Sequence, residues 1–173
     1  NFDPNNIAKY IQSKKGELVN RTAQSIYPPG SIFKIVVLYA ALEQGVIDEN
    51  YTYNCTGKTK VGSNGEILNC HKKEGHGIEN LQQAFSNSCN TAFFDIANKV
   101  GEDKIIEYAK KLHLDEPVDI GIDEEKYREI STEIPIRNLA IGQGSIGFTP
   151  LQINQMTQIV ANNGTYKPLY LYD

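Results

Sequence analysis

The chain has 173 residues, a net charge of −4, 40 % apolar residues and 22 % charged ones. That is enough for one domain with a real core, with the balance of an ordinary globular protein and no charge excess that would point to nucleic acid or an anionic membrane as partner. No apolar run approaches the roughly 20 residues of a membrane span, and no signal peptide is visible. The chain starts at Asn1 without a methionine and stops inside a stretch over 166–172 that reads as a strand, so both ends read as cuts and a fragment of a longer protein is expected.

In chain order, Asp3-Pro4-Asn5 reads as a strand end running into a turn, with a short helix over 6–15. Residues 16–27 read as extended or looped and end at the break Pro28-Pro29-Gly30. The pattern predicts a helix over 31–44, capped by Ser31 and closed by Gly45. It is apolar nearly all round, which predicts burial. Residues 51–70 read as two strands around Ser63-Asn64-Gly65, a hairpin signal. Helices follow over 78–86, 91–100 and 102–113, the first two separated at Ser88-Cys89-Asn90. Residues 115–138 are acidic and irregular, with Asp123-Glu124-Glu125 as a solvated charge run. A small-residue loop, Gly142-Gln143-Gly144-Ser145, leads to a helix opened by Thr149-Pro150 and closed by Asn163-Gly164, with Met156 on its core side. There is no internal repeat and no low-complexity segment.

Two local patterns invite other chemistry. Thr56-Gly57-Lys58-Thr59 has part of a phosphate loop, but Thr52 stands where the first glycine is required. Cys55 and Cys70, with His71 and His76, have a spacing unlike common zinc modules, so a loop with solvated histidines is expected and no metal or cofactor is assigned. In an oxidising compartment Cys55 and Cys70 are a possible disulfide pair. A turn at Asn64-Gly65 would set Cys70 opposite Thr59 instead, so pairing would need a bend.

Three polar clusters stand at breaks beside apolar helices: Ser31 with Lys34, Ser88 with Asn90, and Gln143 with Ser145. Residues three apart share a helix face. Ser31 and Lys34 therefore form a nucleophile and base pair, with burial lowering the lysine pKa so that a neutral amine accepts the serine proton. Ser88 is a candidate to relay that proton to a leaving amine and Asn90 to bind a substrate amide. The N–H groups at the start of the helix supply one oxyanion donor.

These motifs carry a family resemblance. Tyr27-Pro28-Pro29-Gly30-Ser31-Ile32-Phe33-Lys34 resembles the active-site signature of penicillin-binding proteins, and S-x-x-K, S-D-N and K-T-G are the motifs of these proteins and their β-lactamase relatives. Phe2-Asp3-Pro4-Asn5, Asn20-Arg21, His76-Gly77, Ser88-Cys89-Asn90-Thr91-Ala92-Phe93 and Gly142-Gln143-Gly144 with Thr149-Pro150-Leu151-Gln152 resemble further stretches of class B enzymes, in order. The resemblance covers nearly the whole chain. It implies an α+β fold: the mainly helical part of a transpeptidase domain, over residues 1–173, with a small β-hairpin and an incomplete antiparallel sheet. It implies a peptidoglycan D,D-transpeptidase that acylates Ser31 with D-Ala-D-Ala stem peptides, binds β-lactam antibiotics, and uses Lys34, Ser88 and Asn90. It further implies a membrane-anchored parent on the extracytoplasmic face of the bacterial membrane, working in a cell-wall synthesis complex. A β-lactam sensor domain and a carboxypeptidase or β-lactamase share the first motif. No Lys-Thr-Gly follows Asn90, so the strand that recognises the substrate carboxylate and supplies the second oxyanion donor is missing. Loss of such a donor costs on the order of 3 kcal/mol of transition-state stabilisation, and an incomplete sheet leaves an edge open to self-association.

Overall fold

The computed structural model describes residues 3–61, 65–121 and 126–170. A 3-10 turn at Pro4–Asn6 leads into α1 (Ile7–Gln12), followed by α2 (Arg21–Gln24). A second 3-10 turn, Gly30–Phe33, runs straight into α3 (Lys34–Glu43). Four short strands follow: β1 (Thr52–Cys55), β2 (Lys58–Val61), β3 (Glu66–Asn69) and β4 (Gly77–Asn80). The later elements among the described residues are helices: α4 (Leu81–Ser86), α5 (Asn90–Val100), α6 (Glu102–Lys111), α7 (Ile136–Leu139) and α8 (Pro150–Ala161).

Helix α3 is the central element, packed against α5 and α6. Its Val36, Val37, Ala40 and Ala41 are buried with Phe93, Ile96 and Ala97 of α5 and Ile105 and Ala109 of α6. Each fully buried Val, Ile or Phe side chain of this kind contributes about 1.5–3 kcal/mol. Gly45 closes α3 as expected: with φ +63 it lets Val46 N–H reach Ala41 O and its own N–H reach Leu42 O. The helix is not buried all round, since Tyr39 and Leu42 are exposed. Helix α8 keeps its predicted Thr149 cap, which Gln152 completes as a capping box, and its buried Met156.

Several expectations are corrected. Ser31 is not a helix cap: the preceding turn is 3-10, and no side-chain cap bond is made there. Residues 78–80 are not helical but belong to β4, which pairs antiparallel with β1 from Thr52↔Asn80 to Cys55↔Gly77. The predicted hairpin is β2–β3, with Thr59 opposite Leu68 rather than Cys70. Its turn residues Ser63 and Asn64, and the charge run at Asp123-Glu124-Glu125, lie outside the described residues. Two short helices, α2 and α7, arise where irregular chain was expected, and residues 166–170 form no strand. Among the described residues the strands make two separate two-stranded sheets rather than one.

The loop between α7 and α8 clamps the turn that carries Ser31. Tyr27 and Phe148 exchange both backbone hydrogen bonds at 2.9 Å, and Gly30 N–H donates to Gly142 O at 2.9 Å. Phe33 stacks on Phe148 with centroids 6.0 Å apart. A Cβ on Gly142 would lie 2.2 Å from Gly30 O and 2.8 Å from Phe33 Cβ. No helix among the described residues is long and apolar enough to cross a membrane.

Gly142→Ala is therefore expected to lower the thermal midpoint by clearly more than Gly164→Ala. Both positions have positive φ, which costs an alanine about 1–2 kcal/mol, but Gly164 has nothing within 4 Å of its Cβ position. Equal losses in the two variants would show that the Gly30–Gly142 approach does not limit the fold.

Candidate active site

The four predicted residues come together at one point. Pro28, Pro29 and a left-handed Gly30 (φ +58) turn the chain into the 3-10 segment, leaving Ser31 exposed at its start. In a 3-10 turn residues three apart eclipse, which aligns Ser31 with Lys34. Lys34 is 1 % exposed. Its Nζ donates to Ser88 O at 2.7 Å, Ser88 Oγ at 2.8 Å and Asn90 Oδ1 at 2.7 Å. Ser88 Oγ in turn lies 2.9 Å from Ser31 Oγ. Among the described residues no direct hydrogen bond joins Lys34 to Ser31. The contact runs through Ser88, whereas the sequence pattern predicts a direct pair.

Local structure explains how Ser88 reaches both neighbours. Helix α4 starts with an Asn80–Gln83 capping box and ends with Ser88 in the left-handed region, φ +53. Ser88 N–H bonds to Phe85 O and Cys89 N–H to Ala84 O, the paired closure in which glycine is usual. A serine held there costs about 1–2 kcal/mol. The conformation turns both the Ser88 carbonyl and its hydroxyl toward Lys34, while Asn90, the first residue of α5, completes the cradle.

Burial lowers the Lys34 pKa to about 8, although charge on Cys70 and Cys89 pulls the other way. Two of its three acceptors, Ser88 O and Asn90 Oδ1, can only accept. A neutral amine therefore keeps two N–H bonds to them and turns its lone pair to Ser88 Oγ. The third cluster is looser. Gln143 Nε2 lies 3.7 Å from the Cβ position of Gly30, whereas Ser145 is exposed and its carbonyl accepts from Arg128 Nη1 at 3.4 Å.

Directly behind Ser88 is a group that the sequence reading broke up. Ligand atoms of Cys55, Cys70, His76 and Cys89 all lie within 4.8 Å of one another. All three cysteines are free and buried. His71 is exposed as expected, but the His76 side chain is only 7 % exposed. The turns that gather these residues cross without room for side chains: a Cβ on Gly57 would be 2.0 Å from Lys73 O, and one on Gly75 2.1 Å from Cys55 O. Thr91 Oγ1 bridges Cys55 Sγ at 3.1 Å and Cys89 Sγ at 3.4 Å. Burial alone would raise the Cys55 thiol, but hydrogen bonds from Thr91 and the His76 and Gly57 backbone outweigh it and hold it below the ordinary thiol value; burial pushes Cys89 up. Three thiols and an imidazole are a donor set for tetrahedral zinc. Cys89, the missing member, was legible in the sequence only as the variable middle residue of the second motif.

The family model of the penicillin-binding protein transpeptidase domain matches residues 1–173. Among curated relatives, peptidoglycan D,D-transpeptidase MrdA of Escherichia coli K12 is 29 % identical over 98 % of this chain and 30 % of its own length. Stage V sporulation protein D of Bacillus subtilis is 30 % identical over 98 % of this chain and 26 % of its own. The chain thus spans about a quarter to a third of these relatives. Among known structures, Pseudomonas aeruginosa PBP2 in complex with WCK 5153 superposes with a TM-score of 0.86 at 24 % identity, covering 98 % of this chain and 40 % of that one. The penicillin G acyl-enzyme complex of penicillin-binding protein A from M. tuberculosis superposes at 0.84 with 25 % identity, covering 98 % and 41 %. The match of the whole chain to the family model, with the fold and motif order that accompany it, shows that the chain belongs to the penicillin-binding protein transpeptidase domain family.

Proposed function

We propose that this chain is the nucleophile-bearing part of a peptidoglycan D,D-transpeptidase. The observation that carries the reading is the continuous hydrogen-bonded path from Ser31 Oγ through Ser88 Oγ to the buried Lys34 amine. Ser31 Oγ attacks the carbonyl carbon of the penultimate D-alanine of a stem peptide. Its proton passes to Ser88 Oγ as the Ser88 proton passes to Lys34. The C–N bond to the terminal D-alanine then breaks, and the proton returns along the same path to the departing amine. Attack by an amine of a second stem on the acyl-Ser31 ester repeats the sequence in reverse and leaves the cross-link. A β-lactam enters at the same carbonyl chemistry and stops at the acyl stage. Asn90 holds Lys34 and borders the place where the substrate amide sits.

The path requires a neutral lysine, since an ammonium has no lone pair for the Ser88 proton. The pocket that accepts the substrate carboxylate belongs to the third motif, which is not in these 173 residues. The assigned setting is the outer face of the bacterial cytoplasmic membrane, within a membrane-anchored parent. A multi-protein setting is supported by a structural neighbour, the Helicobacter pylori PBP2 in complex with MreC.

In the full-length protein, fluorescent penicillin is expected to label Ser31 stably, and Ser31→Ala to abolish the label. A label that turns over in seconds would move the reading to a β-lactamase, and identical labelling of Ser31→Ala would remove the nucleophile. The acylation rate is expected to rise with pH through about 8, the Lys34 value, and to level off above it. Below that pH the lysine is protonated and the acceptor is lost. A rate flat from about pH 6 to 9 argues against lysine as base.

Ser88→Ala and Ser88→Gly both break the path, so each is expected to slow acylation by about 10²–10⁴-fold. Their stabilities should differ. Glycine tolerates the left-handed conformation and alanine does not, so Ser88→Gly should be more stable than Ser88→Ala by about 1 kcal/mol in denaturant unfolding. Retained acylation in both variants would exclude Ser88 from the proton path.

A further inference from the structure

We propose that Glu79 is a positioning residue for acyl transfer: its carboxylate grips Asn87 and so keeps Ser88 in the left-handed conformation that seats its hydroxyl between Ser31 and Lys34. The grip stands on geometry alone; its effect on the reaction rests on the function proposed above.

Strand β4 is turned the wrong way round for stability. Ile78 is 77 % exposed, whereas Glu79 beside it is 3 % exposed. Successive side chains of a strand face opposite sides. Pairing with β1, Tyr53 opposite Glu79 and Asn54 opposite Ile78, fixes which of the two is withdrawn from solvent. Burial favours the isoleucine and penalises the carboxylate, and a slip of one residue would exchange them. A local rule broken in this way is expected beside a functional site.

What Glu79 holds is the end of α4. Its Oε1 accepts from Asn87 Nδ2 at 2.6 Å, a short bond of the charge-assisted kind. Its Oε2 has no hydrogen-bond partner among the described residues and lies 3.7 Å from His76 Nδ1. The hydrogen bonding of this buried carboxylate among the described residues therefore comes from Asn87. Asn80, the next residue of β4, caps the start of the same helix in a capping box with Gln83. Neighbouring residues of one strand thus fasten both ends of α4.

Asn87 stands one place before Ser88. A serine at φ +53 is strained and relaxes unless its neighbours are held. Relaxation would carry away Ser88 O and Oγ together, the two atoms that meet Lys34 Nζ at 2.7 and 2.8 Å. With Oγ would go the 2.9 Å contact to Ser31 Oγ. The bonds from Ser88 N–H to Phe85 O and from Cys89 N–H to Ala84 O close the turn, but they join it only to α4 and move with it. The Glu79 bond ties the turn to a separate element, the sheet, which takes no part in the proton path.

The test uses the full-length protein, with fluorescent penicillin as the acylating probe and denaturant unfolding as the measure of stability. Glu79→Leu removes the buried charge and the grip together, and the exposed Asn87 then turns to water. This variant is expected to match or exceed the unaltered protein in stability. It should nevertheless acylate about 10–100-fold more slowly, the span of one charge-assisted hydrogen bond. A merely structural residue would not lose rate while keeping stability. Asn87→Asp sets two carboxylates against each other and should slow acylation likewise; adding Glu79→Gln reverses donor and acceptor and should restore most of the rate. In the Ser88→Gly protein, Glu79→Leu should cost nothing further, because the hydroxyl it positions is gone. Acylation of Glu79→Leu at the full rate overturns the positioning role, and an equal loss in the Ser88→Gly protein overturns the route through Ser88. Should Glu79→Leu fail to fold, the Asn87→Asp pair decides, and no recovery in the double variant overturns the grip. An unaltered protein that never labels at Ser31 defeats the transpeptidase reading instead. Hydrogen exchange at the Ser88 and Cys89 amides then decides the grip by itself: it should be faster in Glu79→Leu, and unchanged exchange overturns it.

Discussion

The structure depends on where one ammonium group is put. Lys34 sits at the head of the central helix α3, and it is tolerable there because three oxygens from the α4–α5 break meet it. A buried amine without partners would oppose docking of α3 on α5. With them, the same contact that closes the core also brings Ser88 against Ser31. Packing and chemistry are therefore one event: the hydrophobic faces of α3 and α5 fix the distance, and the polar break between α4 and α5 supplies the groups.

Much of this was legible in the sequence, for physical reasons. The helix over α3 announced itself by its apolar run and Gly45, and α8 by Thr149-Pro150 and Asn163-Gly164. Ser31, Lys34, Ser88 and Asn90 stand at breaks, where a polar side chain has a reason to face inward. What escaped was non-local. Residues 78–80 looked like the start of a helix that sets Leu81, Ala84 and Phe85 on one side, yet pairing with β1 claims them as strand. Ser31 looked like a cap, and only the 3-10 geometry shows that its hydroxyl is left for Ser88. The route through Ser88 instead of a direct serine–lysine bond could not be read from spacing at all.

The thiol cluster shows the same limit more sharply. The spacing of Cys55 and Cys70, with His71 adjoining the second, is unlike common zinc modules, and Cys89 belongs to another motif. The glycine crossings at Gly57 and Gly75 bring the segments together in space. A cluster assembled from four segments has no local signature, and shows only as the burial of several soft donors around one point.

The lowered Lys34 pKa has a thermodynamic consequence for the whole domain. In the unfolded chain this amine keeps a proton up to about pH 10.5, but in the folded protein only up to about 8. Between those values the unfolded state binds more protons, so folding becomes more favourable as pH rises through that window. At neutral pH the full penalty is present, on the order of a few kcal/mol. A domain of this size has a net stability of only about 5–15 kcal/mol. The packing around α3 thus carries a burden that, on the proposed function, follows from the need for a base, stored in the same region that would have to hold still during acyl transfer.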